Sequence, residues 1–239
     1  MNMKWTGAPG CAGPNFPTLA RSPLGFLRNL FGGGSAAVST PGEGGARFAR
    51  RSTGFQHFTR AILRPDGQTV LDLGPTSSSN LQFITGLGHK AYNDDVLIAA
   101  NDSRLVIPGA EEGSKTVDVD RFLAEELKYA PESFDAVLMW DVCDYLPEPL
   151  VKPVVERIRQ ITKPRGALLA FFHTRDAGVE APYYRYHIQN EEMLELREGP
   201  RFQLQRVFQN RHVENLFRDY TSIKFFLGKQ NIREVLLVR

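Results

Sequence analysis

Two periodicities alternate along this chain. Dense apolar runs stand between longer segments whose apolar residues recur at helical spacing. The runs cover Thr69 to Leu73, His89 to Asp94, Thr116 to Val119, Phe134 to Trp140 and Ala167 to Phe172. Each is short, rich in β-branched or aromatic residues, and bounded by Gly, Pro, Asp or Ser, so each predicts a strand. Phe134 to Trp140 and Ala167 to Phe172 are apolar almost throughout, the pattern of strands covered on both faces. Leu81, Phe83, Ile84 and Leu87 mark a helix capped at Ser78 to Asn80 and stopped by Gly86 and Gly88. Further helices are predicted over Val96 to Ser103 and over Arg121 to Tyr129, the latter with Phe122, Leu123 and Leu127 on one face. Val151, Val154, Val155, Ile158 and Ile161 form one more stripe. Proline lacks a donor and clashes with the preceding turn, so Pro153 puts that helix's start near Leu150 to Lys152.

The alternation loosens after His173. Thr174 to His187 reads as an irregular aromatic excursion with Tyr183, Tyr184 and Tyr186. A helix is expected over Asn190 to Arg197, and strands over Phe202 to Phe208 and Glu234 to Val238. Val213, Leu216, Phe217 and Tyr220 fit a helix. Ile223 to Leu227 fits either a second helix or one arm of a hairpin turning at Gly228 to Asn231, and the helix is preferred. Ahead of the first strand, Arg47 to Arg64 predicts a basic helix packed through Phe48, Phe55, Phe58, Ile62 and Leu63.

Strand and helix thus alternate about five times before a β-rich end. That order implies an α/β fold with a doubly wound, mostly parallel sheet. Its strand ends then gather Gly74, Asp94, Asp95, Asp118, Asp120, Asp141 to Asp144 and His173 along one rim, where ligands bind in such sheets.

Composition narrows this picture. With 239 residues and 42% hydrophobic content, the chain supports one large core. Residues 1–45 are Gly-, Pro-, Ser- and Ala-rich, too poor in apolar surface to offset their ordering entropy. A disordered tail is expected there, with a single domain over 46–239 and a short helical island from Ser22 to Gly32. The net charge of +2 calls for no polyanionic partner. The basic residues around Arg50 read as the solvated face of a packed helix, since no aromatic platforms accompany them as a nucleic-acid site would need. Cys11 and Cys143 have no metal-ligand spacing, so neither a disulfide framework nor a zinc site is expected, and a reducing compartment is. No apolar run approaches the ~18–20 residues of a membrane span. The leading residues hold no apolar core of a signal peptide. The expectation is a cytoplasmic protein.

Several rim segments together carry a likeness. They are Val70-Leu71-Asp72-Leu73-Gly74, an acid at Asp95 twenty-one positions after Gly74, Ser133 to Val137, Asp141 to Pro147, and Pro164 to Leu169. In this order and spacing they resemble the class I S-adenosylmethionine-dependent methyltransferases, over roughly Arg60 to Phe208. The resemblance implies a Rossmann-like, seven-stranded sheet whose last strand, suited by Glu234 to Val238, runs antiparallel. It also implies S-adenosylmethionine as cofactor. Asp72 would then hold the loop backbone or accept from the cofactor's amino group. Gly74 would let the backbone approach the methionine part, whose carboxylate the following helix N-terminus favours. Asp95, with Asp94 beside it, would accept from the ribose hydroxyls. Asp120 or Asp118 would accept from adenine. Asp141 would lie near the transferred methyl.

The likeness has a departure. The family loop reads G-x-G-x-G, whereas Thr76 and Ser78 occupy the later glycine positions here and Pro75 removes a donor. Their side chains crowd the backbone, or else offer hydroxyls to the cofactor carboxylate. Asp141 and His173 are the catalytic candidates, His173 as a base. Asp144, Tyr145, Tyr183 and Tyr184 are candidates for the acceptor pocket, against a reading as ordinary packed rim residues. Trp140 and Cys143 read as core. The implied function is methyl transfer to a small-molecule acceptor. The rival is a catalytically silent relative with a binding role. A dinucleotide-dependent oxidoreductase is disfavoured because G-x-G-x-x-G is absent.

Overall fold

The computed structural model describes residues 47–111, 113–175, 183–228 and 231–239. The expected tail over 1–45 and its island from Ser22 to Gly32 lie outside these residues. The chain begins with β1 (Arg47–Arg51) and α1 (Thr53–Ile62), then β2 (Thr69–Asp72), α2 (Ser78–Gly86), β3 (Lys90–Asn93) and α3 (Val96–Ala100). After a single 3-10 turn come β4 (Val106–Pro108), β5 (Lys115–Val117), α4 (Val119–Glu125), β6 (Phe134–Trp140), the one-turn α5 (Val142–Tyr145), α6 (Glu148–Ile161) and β7 (Thr162–His173). The remainder is β8 (Tyr184–Ile188), β9 (Met193–Glu198), α7 (Asn210–Leu216), β10 (Ser222–Leu227) and β11 (Ile232–Val238).

The central sheet has the order β10-β11-β7-β6-β2-β3. The pairs β2–β3, β2–β6 and β6–β7 are parallel, and β11 runs antiparallel to both its neighbours. This is the α/β, mostly parallel sheet expected, with the antiparallel last strand where it was placed. The strand count differs, being six among the described residues rather than seven. The segment expected as a third parallel strand forms β5, which pairs with β4 in a separate two-stranded ribbon. None of its three residues is fully buried, so it lacks the two apolar faces that a place in the sheet requires. The edge strand β3 is covered instead by rings. Tyr92 meets Tyr129 and Phe134 edge-on, at 6.1 and 5.5 Å between centroids.

The period-two rule divides the interior. Val137 and Met139 of β6, with Leu168, Ala170 and Phe172 of β7, face a core closed by α5, α6 and α7. Ala136, Leu138 and Trp140, with Ala167, Leu169 and Phe171, face a second core under α1, α2 and a small sheet. α6 starts at Glu148, earlier than the sequence suggests, and contains Pro153. The hydrogen bond lost at Pro153 is offset because six side chains of this helix are buried, each contributing roughly 1.5–3 kcal/mol.

The small sheet, β1-β9-β8, is where the sequence reading fails most. Arg47 to Arg51 is a strand, and the helix begins only after Ser52, whose Oγ accepts from Phe55 N at 3.0 Å. Asn190 to Arg197, expected as a helix, supplies β9, in which Leu194 and Leu196 are buried and their neighbours are not. The excursion is likewise ordered as β8 from Tyr184 onward. Phe202 to Phe208 is not a strand, and Ile223 to Leu227 takes the hairpin alternative as β10. β9 is settled by pairing with the distant β1 as well as with β8, and β10 by its hairpin with β11.

One buried ion pair joins the two sheets. Arg50 on β1 and Glu234 on β11 are paired through Nη2 and Oε1, both side chains about wholly buried at 1% exposure. Glu234 Oε2 also accepts from Gly54 N at 2.6 Å at the start of α1. A Cβ at Gly54 would lie 2.9 Å from Glu234 Cβ, so this approach needs glycine. Glu234→Ala should strand a buried guanidinium and cost about 3–5 kcal/mol in urea unfolding, while the double variant Arg50→Met/Glu234→Leu should recover most of that. An equally unstable double variant would show that the pair's charges are not the cause.

Candidate active site

β2 ends beneath the loop Leu73 to Ser77, and its last residue organises that loop. Asp72 is buried, and its Oδ1 accepts from Gly74 N at 3.0 Å and from Trp140 Nε1 at 2.6 Å. Its Oδ2 accepts from Asn80 Nδ2 at 2.8 Å. Burial pushes the Asp72 carboxyl up, while the donors Asn80, Trp140 and Gly74 pull it back. Of the two roles open to Asp72, the one the structure displays is bracing the loop. Asn80 extends the brace: it donates to Tyr186 O at 3.1 Å and accepts from Ile188 N at 2.8 Å, fastening β8 to α2. Ser77 caps α2 and bonds His187 Nδ1 at 2.9 Å, a second fastening. From the other side, Asn93 donates to Gly74 O at 2.7 Å and accepts from Thr76 Oγ1 at 2.5 Å.

Gly74 is needed for close approach, but the group that approaches is Trp140. A Cβ at Gly74 would lie 3.1 Å from Trp140 Cδ1. Trp140 itself has φ of 49°, in the left-handed region that bulky residues avoid. It is held there by its bond to Asp72 and by stacking on Tyr186, with centroids 5.1 Å apart and planes within 5°. This turn at the end of β6 directs Asp141 and α5 across the rim. Thr76 on the loop and Ser78 at the start of α2 are both exposed.

Asp141 and Asp144 sit one turn apart and are buried at 2% and 0% exposure. Asp141 Oδ2 accepts from Tyr186 Oη at 3.1 Å. Asp144 Oδ2 accepts from the His173 backbone at 2.6 Å and pairs with His173 Nδ1 at 2.8 Å. The second oxygen of each carboxyl, Oδ1, is buried without a partner. Tyr145 stands edge-on to His173 at 5.7 Å and to Tyr183 at 4.9 Å. Tyr184 packs edge-on against Phe48 at 4.9 Å. Asp95 is partly buried at the end of β3, and its Oδ1 caps α3 through Ile98 N at 3.1 Å. Burial raises its pKa, opposed by that bond and by the charge of Arg185. Asp118 caps α4, while Asp120 is exposed in its first turn. Trp140, Asn80, Asn93 and Arg185 take part in this arrangement without having been singled out as site residues, and Tyr186 joins it from the aromatic excursion. The sequence offered Asn80 only as a helix cap and Trp140 only as core. Among the described residues no His, Cys, Asp and Glu cluster could hold a metal.

Comparison with known proteins bears on this rim. The profile of a family described as a methyltransferase domain matches residues 47–220, most of the chain. The chain belongs to that methyltransferase family. Together with its sheet order, this makes it a class I S-adenosylmethionine-dependent methyltransferase. Solved structures similar to the enzyme include 1,6-didemethyltoxoflavin-N1-methyltransferase of Burkholderia thailandensis, crystallised with 1,6-didemethyltoxoflavin and S-adenosylhomocysteine. It is 13% identical, with a TM-score of 0.41 and 79% of each chain covered. Another is a SAM-dependent methyltransferase from Aquifex aeolicus, 14% identical, with a TM-score of 0.42, covering 78% of this chain and 89% of that one. A comparison with curated proteins finds no match.

The enzyme's buried acid–imidazole pair has a pH signature. Burial pushes Asp144 from 3.8 up to about 7, despite the opposing bond and charge of His173. Burial disfavours a charged His173, but its bond to Asp144 and the charges of Asp141 and Asp144 outweigh this and raise its pKa. A carboxyl that holds its proton more tightly when folded contributes stability below its unfolded pKa and loses it as pH rises through the folded one. The raised His173 acts in the same direction. The melting temperature should therefore fall from about pH 4 to about pH 7 more steeply than that of Asp144→Asn. Parallel curves for the two proteins would contradict the assignment.

Proposed function

We propose that this methyltransferase acts on a small-molecule acceptor held between the rim of β6 and β7 and strand β8. The observation that carries the reading is the Asp144–His173 pair, set beside Asp141 at the strand ends. Asp144 engages His173 Nδ1, which leaves Nε2 as the atom that takes a proton. Asp144 is thus the orienting partner and His173 the base. Tyr145 and Tyr183 supply the apolar wall beside it. Tyr184, packed on Phe48, is assigned a role in holding β8 rather than in contacting the acceptor.

The cofactor supplies an electrophilic methyl group on a sulfonium. The residues present fit it. Its methionine part carries both an amino group and a carboxylate. Asp141 Oδ1 is a buried acceptor without a donor, and Arg185 Nε is a buried donor without an acceptor. The N-terminus of α2, with the exposed hydroxyls of Thr76 and Ser78, offers further donors to a carboxylate. Asp95 keeps an oxygen for the ribose hydroxyls, and Asp120 is assigned to the adenine amino group. Asp72 and Gly74 act indirectly, by bracing the loop. No described helix is long and apolar enough to cross a membrane. Cys143, a buried free thiol, suits the cytoplasmic location proposed for the enzyme.

Calorimetric titration with S-adenosylmethionine and S-adenosylhomocysteine tests the reading. Both should bind, and Asp95→Ala should weaken binding tenfold or more, about 1.4 kcal/mol. His173→Ala should leave cofactor affinity within about twofold while lowering turnover on the acceptor by about a hundred- to ten-thousand-fold. No heat from a folded preparation would refute cofactor use. Unchanged affinity in Asp95→Ala would refute the ribose assignment.

A further inference from the structure

The acceptor's chemical class can be read from what the buried rim leaves unsatisfied. Asp141 Oδ1 and Asp144 Oδ1 are both buried and both without hydrogen-bond partners. Such orphans are rare, because an unmet buried polar atom costs about 1–3 kcal/mol. Both are carboxyl oxygens of one short turn, in which Asp144 N donates to Asp141 O at 3.0 Å. The missing complement is therefore a group that donates.

No guanidinium hydrogen-bonds either oxygen. Arg50 gives Nη2 to Glu234 and lies over the Phe171 ring at 5.5 Å, its Nε and Nη1 being buried without acceptors. Arg233 donates Nη1 to Phe208 O at 2.7 Å. The other walls are aromatic. Tyr145 lies 4.9 Å from Tyr183, which lies 5.1 Å from Phe202, while Tyr186 stacks on Trp140. Ring faces attract cations and N–H groups. At Asp144 an anionic acceptor would meet a buried carboxyl, and an alcohol would bring a single donor.

We propose that the acceptor is an amine, presenting N–H groups to Asp144 Oδ1 with its cationic form stabilised by the tyrosine rings. This deepens the methyltransferase reading and rests on it. His173 completes the chemistry. An ammonium must lose a proton before its nitrogen can attack. The N–H bond breaks, the proton passes to Nε2 of His173, and the nitrogen keeps the electron pair. A bound cofactor would supply the methyl carbon to that pair, with the electrons of its carbon–sulfur bond left on sulfur.

Three probes of one shape test this: phenethylamine, 2-phenylethanol and phenylacetate. Each is titrated by calorimetry into the full chain in the presence of S-adenosylhomocysteine. The amine should bind at least tenfold more tightly than the alcohol or the acid. Asp144→Asn, which keeps the shape but halves the acceptor set, should abolish that preference. The comparison of probes on the unmodified protein stands even where the variant fails to fold. Equal or weaker binding of the amine, in protein that binds S-adenosylhomocysteine, overturns the amine assignment and leaves the methyltransferase reading intact. Failure to bind S-adenosylhomocysteine overturns that reading and this inference with it.

Discussion

The carboxylate of Asp72 is the interaction on which the rim depends. Three protein donors converge on it, from Gly74 in the loop, Asn80 in α2 and Trp140 at the end of β6. A buried carboxyl is costly unless its lone pairs are met, so these donors hold together elements that are separate in sequence. Through Asn80 the same network reaches the backbone of β8, and through Trp140 it sets the turn that aims Asp141 and α5. The loop's close approach, which calls for glycine at position 74, is made by an indole ring of the protein itself.

What this brace positions is a small, dry and strongly coupled centre. Asp141, Asp144 and His173 lie within one another's fields, and the neighbouring tyrosines are buried. Low dielectric makes each interaction there stronger than it would be in water, and makes each orphaned oxygen more telling. The β1-β9-β8 sheet completes the enclosure, since it carries Tyr186 and Arg185. It is fixed to the main sheet by the Arg50–Glu234 pair and to α2 by Ser77 and Asn80. Structure and chemistry therefore meet in the segment least regular to the eye, the aromatic stretch before Ile188.

Much of the central sheet was legible because burial on two faces writes itself into composition. Phe134 to Trp140 and Ala167 to Phe172 could be little else than interior strands. The acids at their ends were legible for the same reason, since polar residues that close apolar runs mark the rim. The small sheet was not. Met193 to Glu198 alternates with period two, but its charged neighbours and helix-forming residues pointed the other way, and only pairing with Arg47 to Arg51 decides it. The strand lost from the main sheet, Lys115 to Val117, failed for want of two apolar faces.

The sequence by itself determined the central-sheet strands β2, β3, β6 and β7, the side of the sheet on which function sits, and the acids available there. These follow from local pattern, which each segment carries within itself. The tertiary structure alone decided what each acid does. Asp72 became a brace because Trp140 and Asn80 reach it. Asp144 became the partner of His173 because the one-turn α5 meets the end of β7. Asp118 became a helix cap while Asp120 stayed exposed. Such roles depend on which donor stands about 3 Å away, and that distance is set by packing between segments far apart in the chain.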